Sequence, residues 1–126
     1  MTLPADARPI AFILTRDPAA LLPFYTGVLG LTVTGADDYG TVLDARGLEL
    51  RLTRIEDHQP GPHPVLTWRV PDIRAASAEL AARGVTFLVY EGFDQGEHGI
   101  WTAPDGGVKV NWFADPEGNV LGLTEG

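Results

Sequence analysis

The sequence predicts an α+β fold of two tandem βαβββ modules, forming a concave mixed sheet with the helices on its convex side. Three observations predict it. Each half runs strand, helix, strand, strand, strand, and one Pro/Gly-rich linker, "HQPGPHP" (58–64), parts the halves near mid-chain. The helix punctuation also recurs at a near-constant offset: Asp17 and Asp72 lie 55 residues apart, Gly30 and Gly84 54 apart. Such an offset marks an internal duplication. At 126 residues the chain is one domain, with module one at about 9–57 and module two at about 64–126.

The first element, "PIAFILT" (9–15), is a short apolar run between Pro and "RDP", which suits a strand. Asp17-Pro18 supplies a helix N-cap with proline at the first helical position. Leu21, Leu22, Phe24, Tyr25, Val28 and Leu29 keep a helical spacing, and Gly30 closes the helix. Pro23 lies inside that helix and removes one backbone hydrogen bond, so a kink or a late helix start is expected. Strands follow at "LTVTGA" (31–36), "TVLDA" (41–45) and "LELRLTRI" (48–55). The last alternates cleanly, with Leu48, Leu50 and Leu52 on one face and Glu49, Arg51 and Thr53 on the other.

After the linker, "VLTWRV" (65–70) is a strand, and Asp72 caps a helix over 73–84. Strands are then expected at "VTFLVYE" (85–91), "VKVNWF" (108–113) and "VLGLT" (120–124), with a long loop, "GFDQGEHGIWTAPDGG" (92–107), after the first of them. One helix covers only one face of a four-stranded sheet. Two such sheets set edge to edge leave a shared concave face for a ligand.

Composition narrows the function classes. Nine Lys and Arg against seventeen Asp and Glu give a net charge of −8, which repels phosphate backbones and argues against a nucleic-acid partner. The same charge favours encounter with cationic ligands, and more plainly keeps the protein soluble. No apolar run approaches the ~18 residues of a membrane span. The first residues lack the basic-then-apolar order of a signal peptide, so the expected setting is cytoplasmic. With no cysteine there is no disulfide, thiolate chemistry or Cys-type zinc site. Ser-His-Asp order, a phosphate-cradling Gly loop with Lys, and H-E-x-x-H are all missing.

The stretches "DPAALLPFYTGVLGLTV", "GLELRL", "VPDIRAASAELAARGV" and "WFADPEGNVLGL" resemble the vicinal oxygen chelate superfamily. That superfamily includes glyoxalase I, bleomycin-resistance proteins, fosfomycin-resistance transferases and extradiol dioxygenases. The resemblance covers nearly the whole chain, and its most specific pieces are "FYTGVLGL" and "F-DPEGN". It implies paired βαβββ modules, commonly stabilised as a homodimer whose cavities hold small molecules. It also implies a divalent metal held by His and Glu from four cavity-facing strands. Those positions fall on Ile10, Glu49, Val65 and Gly122, of which only Glu49 carries a ligand. One carboxylate does not fix a transition metal, so no metal or other cofactor is expected. His63, between two prolines, and His98 in the long loop are the only rescues.

From those anchors, strand alternation predicts the cavity-facing set. It comprises Ile10, Phe12 and Leu14; Glu49, Arg51 and Thr53; Val65, Thr67 and Arg69; Val110 and Trp112; Val120 and Gly122. Of these, Phe12, Leu14, Glu49, Arg51, Thr67, Arg69, Trp112 and Gly122 are the candidate ligand-binding residues. Trp68 points the other way, toward the helix, while Tyr90 and Trp101 flank the long loop. Glu49 in a partly apolar cavity needs Arg51 or Arg69 beside it, or holds its proton and becomes a general acid or base. The alternative for Glu49 and Arg51 is a solvated or interface ion pair. Asp115, Pro116, Gly118 and Asn119 are turn chemistry. Gly122 itself is expected to open the cavity floor beside Trp112.

Three functions follow, in order. The first is a metal-free protein that binds a small organic molecule in a resistance or sequestration role. The second is a metal-independent lyase or isomerase with Glu49 as catalytic acid/base, aided by Arg51 or Arg69. The third is a divalent-metal enzyme using Glu49, His63 and His98. The expected partners are the small molecule and a second copy of the chain.

Overall fold

The computed structural model describes residues 2–126. The chain forms two compact units, divided between His58 and Gln59, and each builds its own four-stranded mixed sheet.

In the first unit, β1 (Ile10–Thr15) leads into α1 (Pro18–Pro23), and β2 (Thr32–Asp37), β3 (Gly40–Asp44) and β4 (Glu49–Arg54) follow. The sheet order is β1-β4-β3-β2, with β1 parallel to β4 and the other pairs antiparallel. Asp17 caps α1 by accepting from the N–H groups of Ala19 and Ala20, which the orphan donors of a helix start require. Pro23 has the expected effect in a particular form. The α-helix stops there, and a π turn over Phe24–Val28 carries the chain on, closed by Leu29 N–H donating to Phe24 C=O at 3.0 Å. That turn carries Tyr25, fully buried, and with Leu21 of α1 and Ile13, Leu43, Leu50 and Leu52 of the sheet it belongs to the buried core.

In the second unit, β5 (Pro64–Arg69) is followed by α2 (Ile73–Ala82), β6 (Trp101–Thr102), β7 (Lys109–Ala114) and β8 (Val120–Glu125). The order β5-β8-β7-β6 repeats the pattern of the first sheet, with β5 parallel to β8. Two side chains cap α2: Asp72 accepts from Ala75 N–H, and Glu125 from Ile73 N–H at 2.9 Å. Behind the helix, Ile73, Phe113, Leu121 and Leu123 fill the core. Asn111 is buried there too, its amide donating to Ser77 Oγ at 2.8 Å and to the His98 carbonyl at 3.1 Å.

The expected strand at 85–91 does not form. Phe87 makes one isolated bridge to Phe113, and Leu88 N–H donates to Trp112 C=O. Beyond that point a side chain takes the place of a strand partner. Gln95 accepts from Tyr90 N–H at 2.7 Å and donates to Leu88 C=O and Gly99 C=O, both at 2.8 Å. The edge position in the sheet passes to β6, two residues drawn from what the sequence presents as a long unstructured loop.

Candidate functional site

Pairing register sorts each sheet into a face toward its helix and a face away from it. In the first sheet Ile10 pairs with Glu49, Phe12 with Arg51 and Leu14 with Thr53, and these share the face away from α1. Their neighbours in β1 and β4, Ile13, Leu50 and Leu52, are buried on the other side. The candidates Phe12, Leu14, Glu49 and Arg51 thus lie on one face, as strand alternation requires. Phe12 is 56% exposed and Ile10 47%, an unusual display for large apolar side chains.

The expected partnership of Glu49 with Arg51 or Arg69 does not occur. Arg51 binds Asp37 instead, through a short charge-assisted hydrogen bond. The two are diagonal across the intervening strand, where Asp37 lies opposite Gly40 and Arg51 opposite Val42. A Cβ at Gly40 would stand 1.9 Å from Leu52 C=O, so glycine is obligatory there. The Arg51 guanidinium, and after it the N–H of Tyr39, hold Asp37's carboxyl below the usual carboxylate range. Arg69 belongs to the other unit and donates to the main-chain oxygen of Gly126. Glu49 is exposed, and its carboxylate has no partner among the described residues. It shares the face of Phe12 and Arg51 without being half of an ion pair.

In the second sheet, Thr67 pairs with Gly122, and Gly122 with Trp112. Arg69 and Thr124 continue that face, and Trp101 joins it through its pairing with Val110. Thr67, Arg69, Trp112 and Gly122 therefore lie on one face, away from α2. Trp68 pairs with buried Leu123 and shares the helix-side face. Gly122, however, does not leave a gap. A Cβ built on it would meet Asn111 C=O at 2.9 Å, Thr67 Oγ1 at 3.2 Å and Trp112 Cδ1 at 3.5 Å. The indole and the hydroxyl already close over the backbone, so the glycine permits their approach instead of opening a floor.

Trp112 belongs to an aromatic cluster whose hub is Phe93. The Trp112 ring centroid lies 5.3 Å from Tyr90 and 5.8 Å from Phe93, and Phe93 lies 6.1 Å from Trp101 and 6.3 Å from Tyr90. All four pairs are edge-to-face, the arrangement that ring quadrupoles favour. Phe93 is 48% exposed, and the other three are half-buried. Tyr90, Trp101 and Trp112 were visible in the sequence as aromatics around one loop. Phe93, Gln95 and Asp37 were not; an aromatic between Gly92 and Asp94 in a polar loop was the available signal for the first.

The residues at the four metal positions do not fit a metal. Ile10, Val65 and Gly122 offer no donor atom, and a carboxylate at 122 would displace Thr67 and Trp112. Glu125 faces the α2 side, where its oxygens accept from Ile73 N–H and Lys109 Nζ. His98 lies on that side too, its ring 5.8 Å from Phe87, which packs on Phe113. His63 precedes β5 and is exposed. Among the described residues, no three His, Asp or Glu side chains gather as metal ligands would.

The motif "DPEGN" is structural throughout. Asp115, 4% exposed, accepts at one carboxylate oxygen from the N–H groups of Glu117, Gly118 and Asn119, and at the other from the Asn119 amide. No helix among the described residues is long and apolar enough to cross a membrane.

The model of the Glyoxalase/Bleomycin resistance protein/Dioxygenase superfamily matches residues 9–123, and the chain belongs to that superfamily. Solved structures agree on the fold. A fosfomycin resistance protein, FosX, from Listeria monocytogenes is 10% identical with a TM-score of 0.74, over 96% of this chain and 93% of that one. A glyoxalase/bleomycin resistance protein/dioxygenase from Nocardioides is 17% identical with a TM-score of 0.73, over 98% and 85%. Lactoylglutathione lyase from Agrobacterium tumefaciens is 15% identical with a TM-score of 0.70, over 98% and 96%. No protein of curated function matches the sequence.

Proposed function

We propose that this member of the glyoxalase/bleomycin resistance protein/dioxygenase superfamily binds a small organic molecule directly, without a metal, on the sheet face that carries Trp112. The observation that carries the reading is the half-buried group of Trp112, Tyr90, Phe93 and Trp101 on that face, opposite α2. Aromatic walls with a few placed polar groups are the usual make-up of small-molecule sites. Here Thr67 and Arg69 supply the polar groups. Phe12, Leu14, Glu49 and Arg51 form a second apolar-polar face in the other unit, suited to the same kind of ligand. The role that goes with this reading is sequestration or resistance, in a cytoplasmic homodimer.

The test is NMR mapping of a library of small aromatic and heterocyclic compounds with chelator present. Shifts confined to the Thr67, Trp112 and Gly122 face support the reading. Shifts that need an added divalent cation overturn it.

A second reading has one observation of its own: Glu49 is an unpartnered carboxylate on the same face as Phe12 and Arg51. That is the arrangement of an acid/base group beside an apolar ligand surface, with metal-independent lyase or isomerase chemistry as its outcome. Turnover abolished by Glu49→Gln, with ligand binding retained, is its test.

A further inference from the structure

The aromatic face carries more than an apolar wall. Phe93 touches three other rings at once: Tyr90, Trp101 and Trp112. A side chain so placed normally belongs to a core, yet nearly half of Phe93 is open to solvent. It therefore packs on the other three rings from the solvent side.

The backbone beneath it is held unevenly. Gln95 clips the base of the loop with three hydrogen bonds of 2.7–2.8 Å, to Tyr90 N–H, Leu88 C=O and Gly99 C=O. The turn that bears Phe93 has one bond of its own, Phe93 N–H to Tyr90 C=O at 3.2 Å, and passes through Gly92 at φ 89°. Tyr90 and Trp112 are thus fixed, while the phenyl sits on a lightly tied turn. Few backbone bonds and high exposure are the physical marks of a segment that opens at low cost.

Charge then selects what replaces the phenyl. In an edge-to-face pair the positive rim of one ring meets the negative face of another, and an organic cation meets that face with a full charge. From Gln59 onward the chain has four Lys and Arg against nine Asp and Glu. Arg69, Arg74 and Lys109 are engaged with Gly126, Glu97 and Glu125 respectively. Glu91 and Asp94, which flank the Gly92-Phe93 pair, are exposed, and neither carboxylate has a partner among the described residues.

We propose that Tyr90, Trp101 and Trp112 form a slot for a flat organic cation, and that Phe93 is a plug which the ligand's ring replaces. Glu91 and Asp94 supply the matching negative charge at its mouth. The proposal rests on the reading of this face as a ligand surface and adds the ligand class and the displaced residue.

The experiment is a titration of the whole protein with three probes at pH 8: 1-methylquinolinium, neutral quinoline and the anion 1-naphthoate. The readout is the indole N–H resonances of Trp101 and Trp112 together with the amides of the 90–95 loop. The cation is expected to bind about tenfold tighter than quinoline, within the range of a partly desolvated cation–π contact. Phe93→Ala is expected to tighten it a further ~5-fold by removing the competing ring. Phe93→Leu, which keeps an apolar side chain on the turn, ranks between the two. Trp112→Leu removes the binding.

Quinoline or 1-naphthoate binding as tightly as the cation, at the same rings, overturns the ligand class and leaves the face a ligand surface. Weaker binding by both Phe93 variants overturns the plug. No perturbation of these rings by any probe overturns this proposal and counts against the face as a ligand site.

Discussion

Trp112 and Gly122 are register partners on adjacent strands, and the indole covers the glycine so closely that a Cβ there would stand 3.5 Å from its Cδ1. The glycine is therefore a packing requirement. Gly122→Ala is expected to destabilise the fold by about 2 kcal/mol, because the added methyl meets Asn111 C=O at 2.9 Å as well. Urea unfolding measures it. Gly122→Glu, the substitution that would recreate a ligand at that position, is expected to cost more and to bind no metal.

The Asp115 turn gives the second expectation. Three backbone N–H groups and one side-chain amide converge on a carboxylate that is almost fully buried. Asp115→Ala leaves those donors unpaired, at a cost of roughly 3 kcal/mol. The loss belongs in the unfolding midpoint alone: a folded Asp115→Ala protein should bind ligands on the Trp112 face as before.

Asp37 and Arg51 make a pH-dependent contribution whose sign is fixed. Asp37's carboxyl is held below its ordinary value of 3.8 by Arg51 first and the Tyr39 N–H next. A group depressed in the folded state stabilises above its unfolded pKa, and the effect is lost as pH falls through the lower, folded value. The window therefore lies below about pH 4 and leaves neutral pH untouched. Carboxyl NMR should place Asp37 below 3.8 and show it rising toward 3.8 in Arg51→Gln. A midpoint unchanged by that substitution would contradict the pairing.

Glu125 ties the end of β8 to the start of α2 through Ile73 N–H and reaches Lys109 at 3.4 Å. Glu125→Gln keeps an oxygen for the helix end and should cost little, while Glu125→Ala should cost about 1 kcal/mol. Amide exchange at Ile73 and its neighbours separates the two variants.

Much of this was legible in the chain. The parity of "LELRLTRI" put Glu49, Arg51 and Thr53 on one face, because strand alternation is strictly local and needs no partner. The caps at Asp17 and Asp72 and the interruption at Pro23 were legible for the same reason. What failed depended on residues distant in sequence. Arg51 chose Asp37, fourteen residues away and two strands over, instead of Glu49 two residues away on its own strand. The segment 85–91 had strand composition, but a glutamine side chain took the bonds a strand would have used. Gly122 announced itself as special, and only its neighbours' atoms told why.

On the function proposed above, the Trp112 face takes an organic ligand with no metal between. The most direct test is a tryptophan-fluorescence titration with 1-methylquinolinium in excess chelator, repeated in chelator-free buffer with manganese, nickel or zinc added. We expect saturable quenching in chelator, unchanged by each metal and lost in Trp112→Leu. Quenching that appears only with a divalent metal, or that survives Trp112→Leu undiminished, would contradict the account.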